Sequence, residues 1–217
     1  MRALPGGRPV VERVLGQPAD GPPVEGPVPS DQAVVVEGSN LAGAAVWVQF
    51  GDTVVPAEQV RDDRVLLHPP DTLPAGVYPL RIRQDVKADA TTTLVRVLES
   101  NAVPFVRQPR VTEATLDAGG PAVEVHLDVP VGDRARVRLL LDELGVPAGG
   151  TAHGYEFDAP YPLTGRPDPR AVRIPIAGVV PARYLVRVEV DGAQSGLQQD
   201  QSGVFSGPVV DLTGLPV

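Results

Sequence analysis

Twice in this chain a turn is followed by a tyrosine and then by strict alternation of apolar and mostly charged residues. The first instance is Pro74-Ala75-Gly76-Val77-Tyr78-Pro79-Leu80-Arg81-Ile82-Arg83; the second is Pro181-Ala182-Arg183-Tyr184-Leu185-Val186-Arg187-Val188-Glu189-Val190. A side chain of one kind at every second residue marks a strand with one buried face and one wet face. The two tyrosines stand one immunoglobulin-size sandwich apart, ~100 residues. The repeat therefore predicts two β-modules in series, and 217 residues suffice for each to bury a core of its own.

The spacing between the apolar runs agrees. The 23 glycines and 25 prolines fall mainly between short apolar stretches, the punctuation of many short strands joined by turns. The best helical candidate, Asp133 to Leu144, carries Ala135, Val137, Leu139 and Leu141 at period two, so it too reads as a strand. The expected fold class is all-β, with two tandem immunoglobulin-like β-sandwiches. Residues 1–26 are expected to be a Pro/Gly-rich lead-in linker with one strand near Val10 to Leu15. The first module is then 27–101 and the second 102–217, with an insertion at about 145–170. In the first module strands are expected at Ala33 to Gly38, Ala45 to Asp52, Val54 to Pro56, Arg64 to His68, Val77 to Arg83 and Thr92 to Leu98. In the second they are expected at Arg110 to Thr112, Val123 to Val129, Arg136 to Leu141, Val172 to Ile176, Tyr184 to Val190 and near Val204-Phe205.

Charge and cysteine content narrow the partners. A net charge of −8, with no basic stripe interleaved with aromatics, argues against nucleic acid and anionic membranes. Cysteine is absent, which removes disulfides and thiolate chemistry. No apolar run approaches the ~20 residues of a membrane-spanning helix. The first residues lack the apolar centre of a signal peptide. The chain is expected to be soluble and not exported.

The polar side chains that could carry chemistry are few. His153, Glu156 and Asp158 are metal-capable, but on a strand 156 and 158 share a face while 153 points away, which favours a solvated edge over a metal site. His126 alternates with Glu124 and Asp128, and His68 precedes Pro69-Pro70-Asp71; both read as surface imidazoles among carboxylates. Asp62-Asp63, flanked by Arg61 and Arg64, reads as a solvated charge cluster rather than two acids opposed across a cleft. Gly119-Gly120 and Gly149-Gly150 precede no helix whose N-terminus could bind an anion. The reading is a non-enzyme with no cofactor, no metal and no catalytic residue.

The aromatic residues are more informative. If Val46, Val48 and Phe50 face the core, the only tryptophan, Trp47, points outward. There it either caps a neighbouring loop or anchors an interface. Tyr155 and Phe157 share one strand face, for core packing or for a contact surface carried by the insertion, and Tyr161 follows them. These four residues, Trp47, Tyr155, Phe157 and Tyr161, are the candidate interface. A row of two or three aromatics for stacking on sugar rings is hard to assemble from so few.

The phrases Val34-Val35-Val36-Glu37-Gly38-Ser39-Asn40-Leu41, Val48-Gln49-Phe50-Gly51 and Leu73-Pro74-Ala75-Gly76-Val77-Tyr78 together resemble the IPT/TIG version of the immunoglobulin fold. In that version a Gly-x-Asn-Leu turn, a strand ending Phe-Gly and a Pro-x-Gly-x-Tyr turn recur in this order. The longer arrangement comprises Arg2-Ala3-Leu4-Pro5, the IPT-like module, the joint Ser100-Asn101-Ala102-Val103-Pro104-Phe105, and a second module ending Tyr184 to Gly192. It is similar to the C-terminal half of the tail-terminator, or cap, proteins of phage-tail-like contractile injection systems. That family's N-terminal α/β capping domain has no counterpart in these residues. The resemblance implies a structural, interaction-bearing protein. Its partners would be tube, sheath or cap subunits, in a particle assembled in the cytoplasm. The competing expectation is an IPT-like accessory module of a glycan-active or cell-surface adhesion protein.

Overall fold

The computed structural model describes residues 7–87, 95–145 and 149–215. The chain is all-β, with no helix among these residues. It divides into two compact units. The first comprises Met1–Leu73 and Val77–Arg107, the second Pro74–Gly76 and Gln108–Val217.

The first unit is built from β1 (Val10–Gln17), β2 (Val24–Glu25), β3 (Val28–Pro29), β4 (Ala33–Ser39), β5 (Ala45–Phe50), β6 (Thr53–Pro56), β7 (Gln59–Val60), β8 (Arg64–Leu67), β9 (Gly76–Lys87), β10 (Val95–Glu99) and β11 (Val103–Gln108). One sheet runs β2-β1-β4-β8-β7. The other runs β3-β11-β9-β5-β6, with β10 also paired to β9. Val34 and Val36 from the first sheet meet Val48, Phe50, Leu80 and Ile82 from the second in a single core. Each of these is fully buried, which contributes roughly 1.5–3 kcal/mol per side chain. Phe105 closes that core, its ring 4.8 Å from that of Phe50.

The second unit contains β12 (Val111–Leu116), β13 (Ala122–Leu127), β14 (Val137–Glu143), β15 (Gly154–Asp158), β16 (Ala171–Pro175), β17 (Arg183–Val190), β18 (Ala193–Gln194), β19 (Gln198–Gln199), β20 (Phe205–Gly207) and β21 (Val209–Asp211). A three-stranded sheet, β12-β13-β16, contributes Val123, Val125, Val172 and Ile174 to the core. The sheet β15-β14-β17-β18, with β21 on β17, contributes Leu139, Leu141, Val186 and Val188. Tyr184 is fully buried, and its hydroxyl donates to the Val180 carbonyl at 2.7 Å. This is the tyrosine corner of immunoglobulin-like sandwiches. In the first unit Tyr78 is half-buried, its ring 6.5 Å from that of Phe105.

Both units break their last strand in the same way. In the first, β10 pairs with residues 83–87 of β9, and the chain then kinks before β11 pairs with β9 again. In the second, β18 pairs with residues 189–190 of β17 and β21 with residues 183–185. A buried serine spans each kink. Ser100 Oγ accepts from the Ile82 amide at 2.9 Å, and Ser195 Oγ accepts from the Val188 amide at 2.9 Å.

The strand expected near Val10 to Leu15 within the 1–26 lead-in is present: residues 10–17 pair with β4, burying Val11 and Leu15. Pro9 and Pro18 bracket this strand rather than interrupt it, so no ladder donor is lost. The first module does not close at 101, because Phe105 is a core residue with Val103 packed beside it and the units divide between Arg107 and Gln108. The expected insertion at about 145–170 is built around β15, a regular strand paired with β14 along its length. A further hairpin, β19-β20, lies between β18 and β21, where the first unit crosses from β10 to β11 in residues 100–102. Of the expected strand Thr92 to Leu98, residues 92–94 lie outside the described residues, as do Arg2 to Pro5 of the lead-in.

Candidate interaction surfaces

Alternation along β5 fixes the direction of Trp47. Val46, Val48 and Phe50 are buried, which puts Ala45, Trp47 and Gln49 on the outer face. The ladder places Pro56 of β6 opposite Trp47 on one side and Arg83 of β9 on the other. Glu99 of β10 continues that row opposite Arg83, and its carboxylate lies 3.3 Å from Arg83 Nε and 3.9 Å from Arg81. Directly opposed residues share a face, so Val54 and Val97 join this surface, and Val77 joins it by alternation along β9. These three valines are 43%, 51% and 46% exposed. The half-buried indole thus sits on a mixed outer face, where the exposed valines alternate with Gln49, Arg81, Arg83, Asp85 and Glu99.

The aromatic group of the second unit separates into two environments. Tyr155 and Phe157 point inward from β15 and pack against the second core. Tyr155 meets Tyr184 edge to face at 5.8 Å, and its hydroxyl accepts from the Val180 amide at 3.2 Å. Tyr161 stands outside, 61% exposed, with the Arg136 guanidinium 5.7 Å from its ring centre. Of the four expected interface residues, Trp47 and Tyr161 lie on open surface and Tyr155 and Phe157 at the core margin.

The polar residues weighed as chemistry are occupied locally. His153 does not meet Glu156 or Asp158. Its ring and amide both bond Glu143, at 2.6 and 3.0 Å, and hold that carboxyl below its usual range. Glu156 and Asp158 instead flank Arg138 at 3.5 and 3.3 Å. Asp158, through its hydrogen bond first, raises the guanidinium's pKa. His68 is held by Glu58 at 3.0 Å, and His126 lies 3.5 Å from Glu124 and 3.8 Å from Asp168. Among the described residues no three His, Asp or Glu side chains gather as a metal site.

One residue was not singled out from sequence. Arg166 donates to the carbonyls of Leu163, Pro169, Ala171 and Val131, at 2.7 to 3.2 Å, pinning the long connection between β15 and β16. Its signal was an arginine between two turn-forming segments, Leu163-Thr164-Gly165 and Pro167-Asp168-Pro169.

Residues 104–211 match the model of a family described as a domain of unknown function, DUF8756. No curated protein matches the chain. Among solved structures, the FN1-FN3 domains of chicken CNTN1 are similar over 95% of this chain and 67% of that one, at 11% identity and a TM-score of 0.29.

Proposed function

We propose that this chain is a non-catalytic structural and interaction protein, resembling in sequence the accessory modules of contractile injection system cap proteins, whose β-sandwich faces dock onto neighbouring protein subunits or outside partners. The observation that carries the reading is the outer face around Trp47. An indole bordered by Pro56 and Arg83, with Val54, Val77 and Val97 exposed on the same face, has the aromatic and arginine content of a protein interface core. The sequence resemblance supplies the class of partner: tube, sheath or cap subunits.

The test is capture of purified tube, sheath and cap proteins of a contractile particle by the immobilised chain. At least one is expected to bind. Trp47→Ala is expected to weaken that binding about thirtyfold, the equivalent of ~2 kcal/mol at an interface anchor, without lowering the free energy of unfolding by more than about 1 kcal/mol. Failure of all three classes to bind overturns the assignment of partner. Wild-type affinity in the variant overturns the assignment of surface.

A further inference from the structure

At one end of the outer face of the β15-β14-β17 sheet lies a cleft of about 480 Å³. Its walls carry Arg136, Arg138, Asp158, Tyr161, Glu189 and Asp191. The ladder sets Asp158, Arg138 and Glu189 side by side in one row. Arg136 and Asp191 form the next row. Asp191 Oδ1 accepts from the Arg136 amide at 2.9 Å, and the Asp191 amide donates to the Arg136 carbonyl at 3.0 Å. That clamp uses the backbone of Arg136 and leaves its side chain over Tyr161. Among the described residues no carboxylate stands within ion-pair distance of the Arg136 guanidinium.

We propose that this cleft is a binding site for a neutral saccharide. Carboxylates and guanidinium groups alternate across it; Arg138 is engaged by Asp158 and Glu156 at 3.3 and 3.5 Å, the Arg136 guanidinium has no such carboxylate among the described residues, and a sugar hydroxyl satisfies both donors and acceptors where a simple ion satisfies one. Three carboxylates against two guanidinium groups leave the cleft net negative, which disfavours an anionic ligand. The two arginines disfavour a cation. One face of Tyr161 is covered by Arg136, and the exposed remainder offers an apolar platform for the C–H face of a pyranose ring. The volume falls within the ~300–1,000 Å³ of small-molecule sites. A single aromatic serves here because the charged rows supply the orientation that a stacking row supplies elsewhere. The site is separate from the Trp47 surface and does not depend on the role proposed for it.

The test is a ¹H–¹⁵N NMR titration of the full chain with glucose, galactose, mannose, N-acetylglucosamine, maltose and cellobiose. At least one is expected to shift the amides of Arg136, Arg138, Asp191 and Gly192, with a Kd of order 1 mM, an affinity ordinary for a small ligand with few contacts. Tyr161→Ala and Arg136→Gln are each expected to weaken it tenfold or more, their own amide spectra showing that they fold. Tyr161→Phe and Trp47→Ala are expected to bind as wild type. The proposal is overturned if none of these sugars shifts those amides, if Tyr161→Ala and Arg136→Gln bind unchanged, or if galacturonate binds there and the neutral sugars do not.

Discussion

The Ser195 hydroxyl accepts the Val188 amide at 2.9 Å while its own amide donates to the Val188 carbonyl at 2.8 Å. Ser195 therefore gives Val188 both hydrogen bonds that a ladder partner would give, one of them from a side chain. Ser100 does the same for Ile82, at 2.9 Å in each direction. Both serines are buried. Alanine at either position leaves a buried amide without an acceptor, which costs about 1–3 kcal/mol. Chemical denaturation of Ser100→Ala and Ser195→Ala is expected to show losses in that range with the m-value unchanged, and a loss below about 0.5 kcal/mol in both would contradict it.

Gly38 pairs with Val11 at the bulge in β1. A Cβ added there would stand 1.9 Å from the Val10 carbonyl oxygen, a backbone atom that cannot step aside without moving the strand. Gly38→Ala is expected to destabilise the chain by about 3 kcal/mol or more, well above a surface substitution. Urea unfolding measures it, and hydrogen exchange should report the first loss of protection in β1.

Burial pushes the Tyr184 phenol up to about 12 from its usual 10.0. Its folded value lies above its unfolded one, so its contribution to stability is complete below pH 10 and drains away as the pH rises toward 12. Absorbance titration at alkaline pH is expected to show one of the four tyrosines ionising late, and Tyr184→Phe is expected to remove that step. The same substitution deletes the bond to Val180 and is expected to cost about 1–2 kcal/mol at neutral pH.

At the acid end the sign reverses. His153 holds Glu143 below its usual 4.5, chiefly through the ring hydrogen bond and then through its amide. Stability from this carboxylate is present above pH 4.5 and is lost as the pH falls through the depressed folded value. Thermal unfolding measured from pH 6 to pH 3 is expected to fall less steeply in Glu143→Gln than in wild type. Identical slopes would show that the pair is energetically silent.

The division into two sandwiches was legible because Tyr78 and Tyr184 each head a long strand whose inward residues, Leu80 and Ile82 in one and Val186, Val188 and Val190 in the other, fall at every second position. The outward direction of Trp47 followed from Val46, Val48 and Phe50 by the same period. Alternation also marked Tyr155 to Asp158 as a strand, but its place beside β14, through Leu139 and Leu141 across the ladder, is a relation no local pattern states. Of the hairpin at 198–207 only the strand near Val204-Phe205 was visible; its partner Gln198-Gln199 is polar, so periodicity has nothing to act on there. The cleft around Tyr161 was illegible for a different reason. Arg136, Tyr161 and Asp191 are brought together by the pairing of β14 with both β15 and β17, and strand pairing between distant segments leaves no trace in any short window of sequence.

Asn101 offers its side-chain oxygen to the Val11 amide and its side-chain nitrogen to the Val11 carbonyl, each at 2.9 Å. Phe105 lies a few residues further on, in the middle of the first core. The opening strand is thus secured by residues made about 90 positions later. At a synthesis rate of roughly 5–20 residues per second, that strand waits many seconds for its clamp. During this interval the nascent chain exposes Val34, Val36 and Leu41 without the group that completes their enclosure, and the first sandwich closes only as the ribosome is already translating the second.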